Sequence, residues 1–422
     1  MKSYSAYKDS GIEWAGKIPE GWDIRKLKHY FAFEKGKNAQ MYTNEYVGAN
    51  PGEHPVYSGQ TEDEGVMGRI ASFDYDTGEV LFSTTVGAKA MTTRMISGRF
   101  SLSQNCAVFI PRKRINVRYC KYFIDRLFDY EKGMISLIMQ PSLRFEDLIK
   151  YKILVPPSDE IDMIAGFLDA KAKQIDDLIA KKGRIIELLK EERAAVINQA
   201  VTKGLDPNVE MKDSGIEWLG EIPEHWVIKR LKYVGRAIIG LTYDPGDVAP
   251  SGTLVLRSSN VQDGQITLDD NVYVNRAIDN ELMVKAGDIL LCSRNGSRAL
   301  IGKCAQINKG QEGGSFGAFM TVFRGGSNRF ILYVFKSTIF SFHIGSFLTS
   351  TINQLTTENL NSIVFALPPN GEWEAIADYL DVKTKSIDAQ ILREQRLVDL
   401  LKEYRTTLIS EAVTGKIDVR GN

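Results

Sequence analysis

Hydroxyl, amide and cationic side chains cluster in two Gly-rich stretches of this 422-residue sequence, STTVGAKAM at 83–91 and CSRNGSRAL at 292–300. Side chains of these types bind the phosphates and base edges of nucleic acids. Residues 66–118 carry eight Lys or Arg against three acids, and residues 285–336 carry eight against two, whereas the whole chain has 53 basic and 53 acidic residues. Basic charge is therefore concentrated around both stretches, and its local distribution matters more for binding than the net charge.

We predict nucleic-acid contact at both stretches; the alternative is that they are ordinary solvated loops. Either Arg294 or Arg298 could bind a guanine in bidentate fashion, and the sequence does not decide between them. The predicted contact residues of the first half are Thr84, Thr85, Lys89, Arg94, Ser103 and Gln104. Those of the second half are Arg257, Ser258, Asn260, Arg294, Asn295, Arg298 and Lys303.

Motifs for catalysis are missing from the sequence. The stretch GSRALIGKC at 296–304 has five residues between its glycines where a phosphate-binding loop needs four, and Cys replaces Ser or Thr after the lysine. The four histidines are scattered, and the four cysteines form no Cys-x-x-Cys pair that would indicate zinc. We predict a chain that catalyses nothing alone and holds no cofactor or metal. No apolar run approaches ~20 residues and no signal peptide is recognised, so we expect a cytoplasmic protein without a membrane partner.

The segments that position these stretches occur twice. KDSGIEWAGKIPEGWDIRKLK at 8–28 returns as KDSGIEWLGEIPEHWVIKRLK at 212–232, with 15 of 21 positions identical. Residues 153–206 return at 365–418 with 23 of 54 positions identical. Each half thus has a repeated head, a divergent body and a repeated tail, which indicates duplication of a whole gene segment. The head tryptophans are predicted to be structural, because buried aromatic residues dominate protein cores.

Each tail is predicted to form one long helix, because apolar residues recur at spacings of three, four and seven. A helix of about 40 residues is ~60 Å long, too long for a small domain to bury. We expect the two helices to pair as a coiled coil; the alternative is that each lies on its own domain. The predicted apolar stripe is Ile161, Ile164, Leu168, Ile175, Ile179, Ile186 and Leu189 in the first helix and Ile376, Leu380, Ile387, Ile391 and Leu401 in the second.

The bodies are predicted to be mixed α/β with strands dominant. Apolar, β-prone runs at 79–85 and 288–294 precede helical segments at 117–130 and 328–340. Aligning the two bodies by eye places Gly87 on Gly296, Lys89 on Arg298 and Ser103 on Ser315. The alignment indicates one fold carrying two different loop chemistries.

The chain resembles the specificity subunits of type I restriction-modification systems. The resemblance rests on SGIEWLGEIPEHW and its twin, the Pro-Pro pair before each long helix, AGDIL at 286–290 and the closing EAVTGKID at 411–418. One departure lies after the Pro-Pro pairs, where the family's usual Glu-Gln is replaced by SDEI at 158–161 and NGEW at 370–373. Because Glu160 and Glu372 remain, we expect only a local change at the helix start.

The resemblance implies an α+β fold in which two mixed α/β target-recognition domains are joined by two conserved helices in an antiparallel coiled coil, as a pseudo-twofold repeat. The expected boundaries are 1–156 and 204–368 for the domains, and 157–203 and 369–422 for the helices. Each domain would read one half of a split site in the DNA major groove. The helices, including the apolar stripe, would space the domains and dock partner subunits.

The implied partners are double-stranded DNA, two methyltransferase subunits and, in the full complex, restriction subunits. S-adenosylmethionine would belong to the methyltransferase subunit, and ATP with Mg²⁺ to the restriction subunit. The competing hypothesis is a duplicated protein-binding scaffold that touches no DNA, which a weak salt dependence of binding would reveal. A self-contained restriction enzyme is disfavoured because the nuclease, helicase and methyl-donor motifs are all missing.

Overall fold

The computed structural model describes residues 3–60, 63–87, 90–135, 140–347 and 353–420. The chain divides into two compact units, one made of residues 1–182 with 397–422 and the other of residues 183–396. Among the described residues, no single helix is long and apolar enough to cross a bilayer; one bent pair of helices, 328–335 with 338–347, passes that test only jointly.

The first unit is built on a six-stranded sheet. The strands of the whole unit are β1 (Tyr7–Asp9), β2 (Lys17–Pro19), β3 (Asp23–Lys26), β4 (Phe31–Lys35), β5 (Pro51–Tyr57), β6 (Val66–Ile70), β7 (Tyr75–Thr84), β8 (Thr93–Leu102), β9 (Cys106–Pro111) and β10 (Lys152–Val155). The sheet has the order β4-β9-β7-β8-β5-β6 and is antiparallel except between β5 and β8. The strands β1 and β2 form a hairpin, and β3 pairs with β10, which joins the head of the repeat to the residues before its tail.

The first unit also contains helices, one of which packs on a face of this sheet. They are α1 (Asn44–Ala49), α2 (Val117–Met134), α3 (Phe145–Leu148) and α4 (Ser158–Lys203). The side chain of Asn116 caps α2 by accepting the N–H groups of the second and third residues after it. Because neighbouring strand residues point to opposite faces, Leu81 packs in the core under α2 while Phe82 packs in a second core on the other face.

The second unit repeats this plan with smaller sheets. Its strands are β11 (Met211–Asp213), β12 (Glu221–Pro223), β13 (Val227–Arg230), β14 (Gly235–Ile239), β15 (Val248–Ala249), β16 (Thr253–Leu256), β17 (Val261–Gln262), β18 (Gln265–Ile266), β19 (Tyr273–Val274), β20 (Ile289–Cys292), β21 (Cys304–Gln306), β22 (Ser315–Phe316), β23 (Met320–Gly325) and β24 (Val364–Leu367). One sheet has the order β14-β23-β20-β21 and the other β15-β19-β16-β22. The first corresponds to β4-β9-β7-β8, so the predicted common template of the two bodies is confirmed.

The helices of the second unit are α5 (Asn328–Phe335), α6 (Thr338–Phe347), α7 (Thr357–Ser362) and α8 (Glu372–Val413). The bend between α5 and α6 is 62°, where the first unit has the single helix α2. The helical segments predicted at 117–130 and 328–340 are therefore found, but the second is broken. The amide N–H of Thr338, at the start of α6, is accepted by Asn198 of α4 at 2.7 Å.

The long helices α4 and α8 pair in antiparallel fashion within each unit. In the first unit the start of α4 packs against the end of α8, and Arg405 pairs with Asp176 at 2.9 Å. In the second unit the end of α4 packs against the start of α8, and Arg193 pairs with Asp388 at 2.8 Å. These two ion pairs are equivalent contacts of the repeat. The two tails are 212 residues apart, so Asp176 corresponds to Asp388 (176 + 212 = 388) and Arg193 corresponds to Arg405 (193 + 212 = 405).

The predicted apolar stripe of the long helices lies inward. Eight of its twelve members are buried, and the other four are partly buried, so none is exposed. The buried ones are Ile161, Ile164, Leu168, Ile175, Ile186, Ile376, Leu380 and Ile387, and the partly buried ones are Ile179, Leu189, Ile391 and Leu401. The antiparallel coiled coil is thereby confirmed. The ends of both helices also enter the cores of the units, as Leu408 does beside Trp22 and Val201 beside Trp226.

The head of each repeat is anchored to the first turn of a long helix. Trp22 donates its indole N–H to Glu160 and Trp226 donates to Glu372, both at 3.0 Å. Trp22 is 1% exposed and Trp226 is fully buried, which fits the predicted structural role of the head tryptophans. The two glutamates are the residues that remain where the sequence departs from the family pattern. Glu160 is buried, and its carboxylate needs such a donor because an unpaired charge would be costly in the core; Glu372 is partly exposed.

A second repeated contact fixes each body to its helix. In the first unit, Arg118 and Tyr122 of α2 donate to Asp169 of α4 at 2.8 and 3.0 Å. In the second, Arg329 and Tyr333 of α5 donate to Asp381 of α8, each at 2.5 Å. The bodies diverge in sequence, yet both keep an Arg and a Tyr one helical turn apart for the same aspartate. This contact was not predicted.

Candidate DNA-recognition surface

A groove of about 980 Å³ lies at one edge of the large sheet of the first unit. It is formed by the end of β4 with the following loop, the end of β7, the β8–β9 turn and α3 with its preceding residues. The lining residues are Lys35, Gly36, Lys37, Asn38, Ala39, Gln40, Met41, Thr85, Val86, Ser103, Gln104, Asn105, Cys106, Leu143, Arg144, Phe145 and Glu146. Four segments that are distant in sequence therefore meet in one concave surface.

Cations and amides dominate the polar lining of this groove. Lys35 lies over the ring of Phe145 at 5.1 Å, and Lys37 lies over Tyr75 at 4.5 Å while donating to the carbonyl of Asp74. The exposed amides are Asn38, which donates to Asp74, Gln40, Gln104 and Asn105. Lysines suit phosphates, and amides suit base edges, so the groove has both kinds of group that DNA recognition needs.

The β8–β9 turn presents its amides through a special backbone conformation. Asn105 adopts a positive φ of 60°, which Asn tolerates better than most residues. Its carbonyl accepts the N–H of Thr85 at 2.7 Å, and the carbonyl of Thr85 in turn accepts the N–H of Leu143 at 2.7 Å. The three segments are thereby joined by backbone hydrogen bonds, which leaves the side chains of Gln104 and Asn105 exposed.

The predicted residues of the first half are only partly brought together. Thr85, Ser103 and Gln104 line the groove, but Thr84, Thr85 and Ser103 are buried, so Gln104 is the exposed member. Arg94 lies instead beneath the turn at Gly65, where its buried Nη1 has no hydrogen-bond partner among the described residues. Lys89 lies outside the described residues.

Sequence reasoning missed several groove residues. Lys35, Lys37, Asn38 and Gln40 follow the repeated head directly, and Arg144 precedes the repeated tail. The signal was present as EKGKNAQ at 34–40, a Gly-rich cationic stretch of the type used elsewhere in the prediction. It lies outside residues 66–118, the segment in which basic residues exceed acidic ones.

The second unit has an equivalent edge, but its residues align with those of the first unit differently from the predicted alignment. Val86 pairs with Ser142 in the first unit and Arg294 pairs with Gln354 in the second, so Arg294 corresponds to Val86. The alignment of Gly87 with Gly296 is therefore wrong by one residue. Likewise Ser101, not Ser103, corresponds to Ser315, because each pairs in parallel with the equivalent strand.

Loop length explains why the alignment also fails for Lys89 and Arg298. Ser83 pairs with Thr93 across the loop of the first unit, whereas Leu291 pairs with Cys304 across that of the second. The second loop is thus longer by three residues (304 − 291 = 13 against 93 − 83 = 10). Gly-rich loops of unequal length have no single residue-by-residue alignment, and only the strand register fixes their ends.

Arg294 occupies the edge of the second unit together with an aromatic side chain. Its guanidinium lies over the ring of Phe319 at 5.1 Å, and Phe319 is 57% exposed. The N–H groups of Ser293 and Arg294 both donate to the carbonyl of Phe319 at 3.0 Å. Phe319 was not predicted, and it stands where the first unit has Asn105, the acceptor for Thr85.

The other predicted residues of the second half have internal partners. Arg257 pairs with Asp270 at 2.8 Å, and Asn295 donates to Ser258 at 3.3 Å, which joins two predicted stretches. The remaining contacts run from Arg298 to the carbonyl of Gly345 at 3.4 Å and from Lys303 to Gln262 at 3.1 Å.

Asn260 is fully buried, unlike the rest of the predicted set. Its amide donates to the carbonyls of Thr267 and Asp270 at 3.0 and 3.1 Å, and its side-chain oxygen accepts the N–H of Arg257. A side-chain amide that makes all of these hydrogen bonds to the backbone stabilises its turn and has no exposed surface for a ligand. The prediction that Asn260 contacts DNA is therefore wrong, because the side chain is fully buried.

Metal ligation and thiol chemistry find no support at these edges. Within the described parts of the chain, no three residues of the types His, Cys, Asp and Glu group together as a metal site would require. The thiol of Cys106 lies in the groove wall, and burial raises its pKa to about 12, so that it stays neutral. A buried neutral thiol is a poor nucleophile.

Comparison with known proteins agrees on one family. Residues 19–190 match the family model described as type I restriction modification DNA specificity domain. The EcoKI specificity subunit of Escherichia coli is 29% identical over 47% of this chain, so the match spans less than half (44%) of that protein. The MjaVIII specificity subunit of Methanocaldococcus jannaschii is 23% identical, covering 96% of this chain and 95% of that protein. A putative type I specificity subunit of Mycoplasma pneumoniae is 32% identical over 45% of this chain and 80% of its own length.

Solved structures show the same fold. A chain from a type I restriction-modification system, solved in a study of complex assembly and conformational transition, matches with a TM-score of 0.71 at 15% identity, covering 95% of this chain and 99% of the other. The HsdS subunit of Thermoanaerobacter tengcongensis matches with a TM-score of 0.50 at 14% identity, covering 95% and 98%. At such low identity the likeness establishes architecture only.

Proposed function

This chain belongs to the family of type I restriction enzyme specificity subunits, and from that premise we propose that it reads a split DNA site without catalysing a reaction itself. The first unit reads one half-site through its groove, and the second reads the other through the edge around Arg294. The supporting observation is that both edges stand on the same repeated frame while their exposed side chains differ. A shared frame with unlike edges suits one complex that recognises two unlike half-sites.

The paired helices are the spacer in this proposal. The boundaries proposed from the repeat are 1–156 and 204–368 for the reading domains, with 157–203 and 369–422 for the helices. Two rigid helices fix the distance between the reading domains, and the half-sites must match that distance along the DNA helix. The spacer function rests on the buried stripe, the repeated ion pairs and the helix contact with Trp22 and Trp226.

Docking of partners uses the outer surface of these helices. The predicted stripe faces inward and is not available, so docking falls to apolar side chains that the helices expose. They are Met163, Leu178, Ile185, Leu188, Tyr379, Val382, Leu392, Leu397, Leu400 and Tyr404. Exposed apolar residues in such number are typical of surfaces that bind another protein. The proposed partners are two methyltransferase subunits and, with them, restriction subunits.

The chemistry then belongs to the partners. In this proposal S-adenosylmethionine is bound by the methyltransferase subunit, and ATP with Mg²⁺ acts with the restriction subunit. The complex works on chromosomal and invading DNA, which places it in the cytoplasm. This chain contributes the choice of sequence.

Methylation mapping tests the proposal. The chain is co-expressed with its cognate methyltransferase subunit, and modified bases in the host DNA are located by single-molecule sequencing. A bipartite motif with a methylated adenine in each half is the expected result. Absence of any methylated motif, despite a stable complex, would contradict the proposal.

Salt dependence separates DNA reading from the scaffold alternative. Binding of the complex to DNA should weaken steeply as salt rises, because neutralised phosphates recover their counterions. A protein-binding scaffold would show no DNA-bound species at low salt. The matched control is the methyltransferase subunit alone, which reports how much of the salt slope comes from the partner.

A further inference from the structure

The basic side chains at the edge of the second unit differ in whether neighbouring residues already accept their hydrogen bonds. Arg257 is paired with Asp270, Arg298 donates to a helix carbonyl, and Lys303 donates to an amide oxygen. Arg294 is exposed, and its guanidinium makes no hydrogen bond or ion pair with any residue in the ranges that the structure describes. All of its N–H donors are therefore available to a ligand.

Phe319 holds this arginine in one orientation. The guanidinium lies over the ring at 5.1 Å, and the backbone N–H groups of Ser293 and Arg294 are both fixed to the Phe319 carbonyl. Stacking restrains the plane of the guanidinium but leaves the donors at its rim uncovered. A side chain that is ordered before binding loses less entropy when it binds.

The backbone under Arg294 is fixed from the opposite side as well. Arg294 pairs with Gln354, and the carbonyl of Ser293 accepts the N–H of Leu355 at 2.7 Å. The arginine thus stands at the end of a strand pairing and not on the free part of the loop. Arg298, by contrast, lies on a short turn that rests against α6.

We propose that Arg294, held by Phe319, reads a guanine in the half-site bound by the second unit. Guanine offers O6 and N7 in the major groove, and the forked arginine donors match this pair of acceptors in bidentate fashion. The exposed ring of Phe319 contacts the neighbouring base pair, for which a thymine methyl is a suitable apolar partner. This inference rests on the proposed function and specifies one contact within it.

The first unit has no equivalent reader. Val86 and Asn105 stand at the positions of Arg294 and Phe319. Valine offers no donor, so the corresponding base pair of the first half-site is read by other groups. The proposed guanine contact therefore belongs to one half-site only.

The experiment maps methylated motifs for the complex of the full chain with its methyltransferase subunit. The variants are Arg294→Ala, Arg294→Lys and Phe319→Ala, with Arg298→Ala and Phe319→Tyr as matched controls. All of these variants, the controls included, are judged by the base preference at every position of both half-sites. Both Arg294 and Phe319 are exposed, so the variants should fold, and complex formation checks this directly.

Arg294→Ala should lower the preference for guanine at one position of one half-site by roughly 5- to 150-fold, the value of one bidentate contact. Arg294→Lys keeps the charge but should lose most of that discrimination, because one ammonium group cannot make both hydrogen bonds. Phe319→Ala should relax the same position by a smaller factor, and Phe319→Tyr should leave it unchanged. Arg298→Ala should retain the guanine.

Four results would overturn the inference. A half-site pair without any guanine in one half, or an Arg294→Ala variant with unchanged preference, leaves the proposed function standing and removes Arg294 as a reader. Uniform weakening of all sites with a salt slope smaller by about one would make Arg294 a phosphate contact. A wild-type complex without any methylated motif would instead contradict the proposed function, and the inference with it.

Discussion

The reading edges of the two units differ, whereas the frames beneath them agree closely. The first edge is a concave groove lined by lysines and exposed amides. The second carries an arginine stacked on an exposed phenylalanine. Beneath both, the indole-to-glutamate distance is 3.0 Å, and an Arg and a Tyr donate to one aspartate.

This contrast teaches where duplicated halves can diverge. The contacts that anchor the heads involve buried indoles, so losing a partner leaves a desolvated N–H unpaired, whereas the Arg–Asp contacts of the bodies are partly exposed. Edge side chains have solvent as their alternative partner, and exchange there costs little stability. Divergence is therefore concentrated at the edges, where it changes what is recognised without changing the fold.

The largest expected effect tests whether the frames are equivalent. Trp22→Ala and Trp226→Ala each remove a buried indole and should lower the free energy of unfolding by about 3–5 kcal/mol. Urea denaturation of both variants, beside the wild type, measures this. Trp14→Ala and Trp218→Ala are matched controls, because those side chains are only partly buried and should cost less. A large cost in one unit and none in the other would break the equivalence.

The next effect sharpens the difference between the edges. Gln104→Ala removes an exposed amide of the first groove and should relax one base pair of one half-site by about 1–3 kcal/mol. Methylation mapping of the variant complex should show this change in the half-site that Arg294→Ala leaves intact. Lys37→Ala serves as the comparison, because loss of a phosphate contact should weaken all sites alike. Changes by Gln104→Ala and Arg294→Ala in the same half-site would contradict separate reading edges.

A smaller effect concerns the aspartates that fix the bodies to the helices. Asp169→Asn should cost about 1–2 kcal/mol, since it removes the charge that Arg118 and Tyr122 both bind. Asp381→Asn should cost less, because Arg329 keeps a second carboxylate at Asp378, 2.7 Å away. Thermal unfolding of the two variants gives the comparison. Equal losses would mean that Asp378 does not compensate.

The smallest effect is expected at the repeated ion pairs of the helices. Double-mutant cycles for Asp176 with Arg405 and for Asp388 with Arg193 should each give a coupling of about 0.2–1 kcal/mol, because the pairs are largely exposed. Both couplings should shrink at high salt. Measurement by urea denaturation at two salt concentrations checks this. Couplings of opposite sign would show that the two pairs are not the same contact.

The sequence by itself determined the repeat, the two long helices and the class of side chain at the edges. Helical periodicity and Pro-Pro boundaries are local signals, so α4 and α8 were found with their inward stripe. The head tryptophans were recognised as structural for the same reason: their type and apolar context predict burial. Residue type, local charge and the alignment of the two bodies predict Gln104 and Arg294 as contacts.

Tertiary structure decided which of these residues stand together. Val86 and Arg294 correspond only because strand pairing fixes the register, and loops of unequal length hide it in the sequence. Phe319 meets Arg294 because β20 and β23 are neighbours in the sheet. Asn260 carried the predicted chemistry but is buried, and burial depends on the packing of the whole turn. Residue type can be read from the sequence at each position. Which side chains share a surface depends on pairing between strands that are distant in the sequence, and local sequence patterns do not predict that pairing.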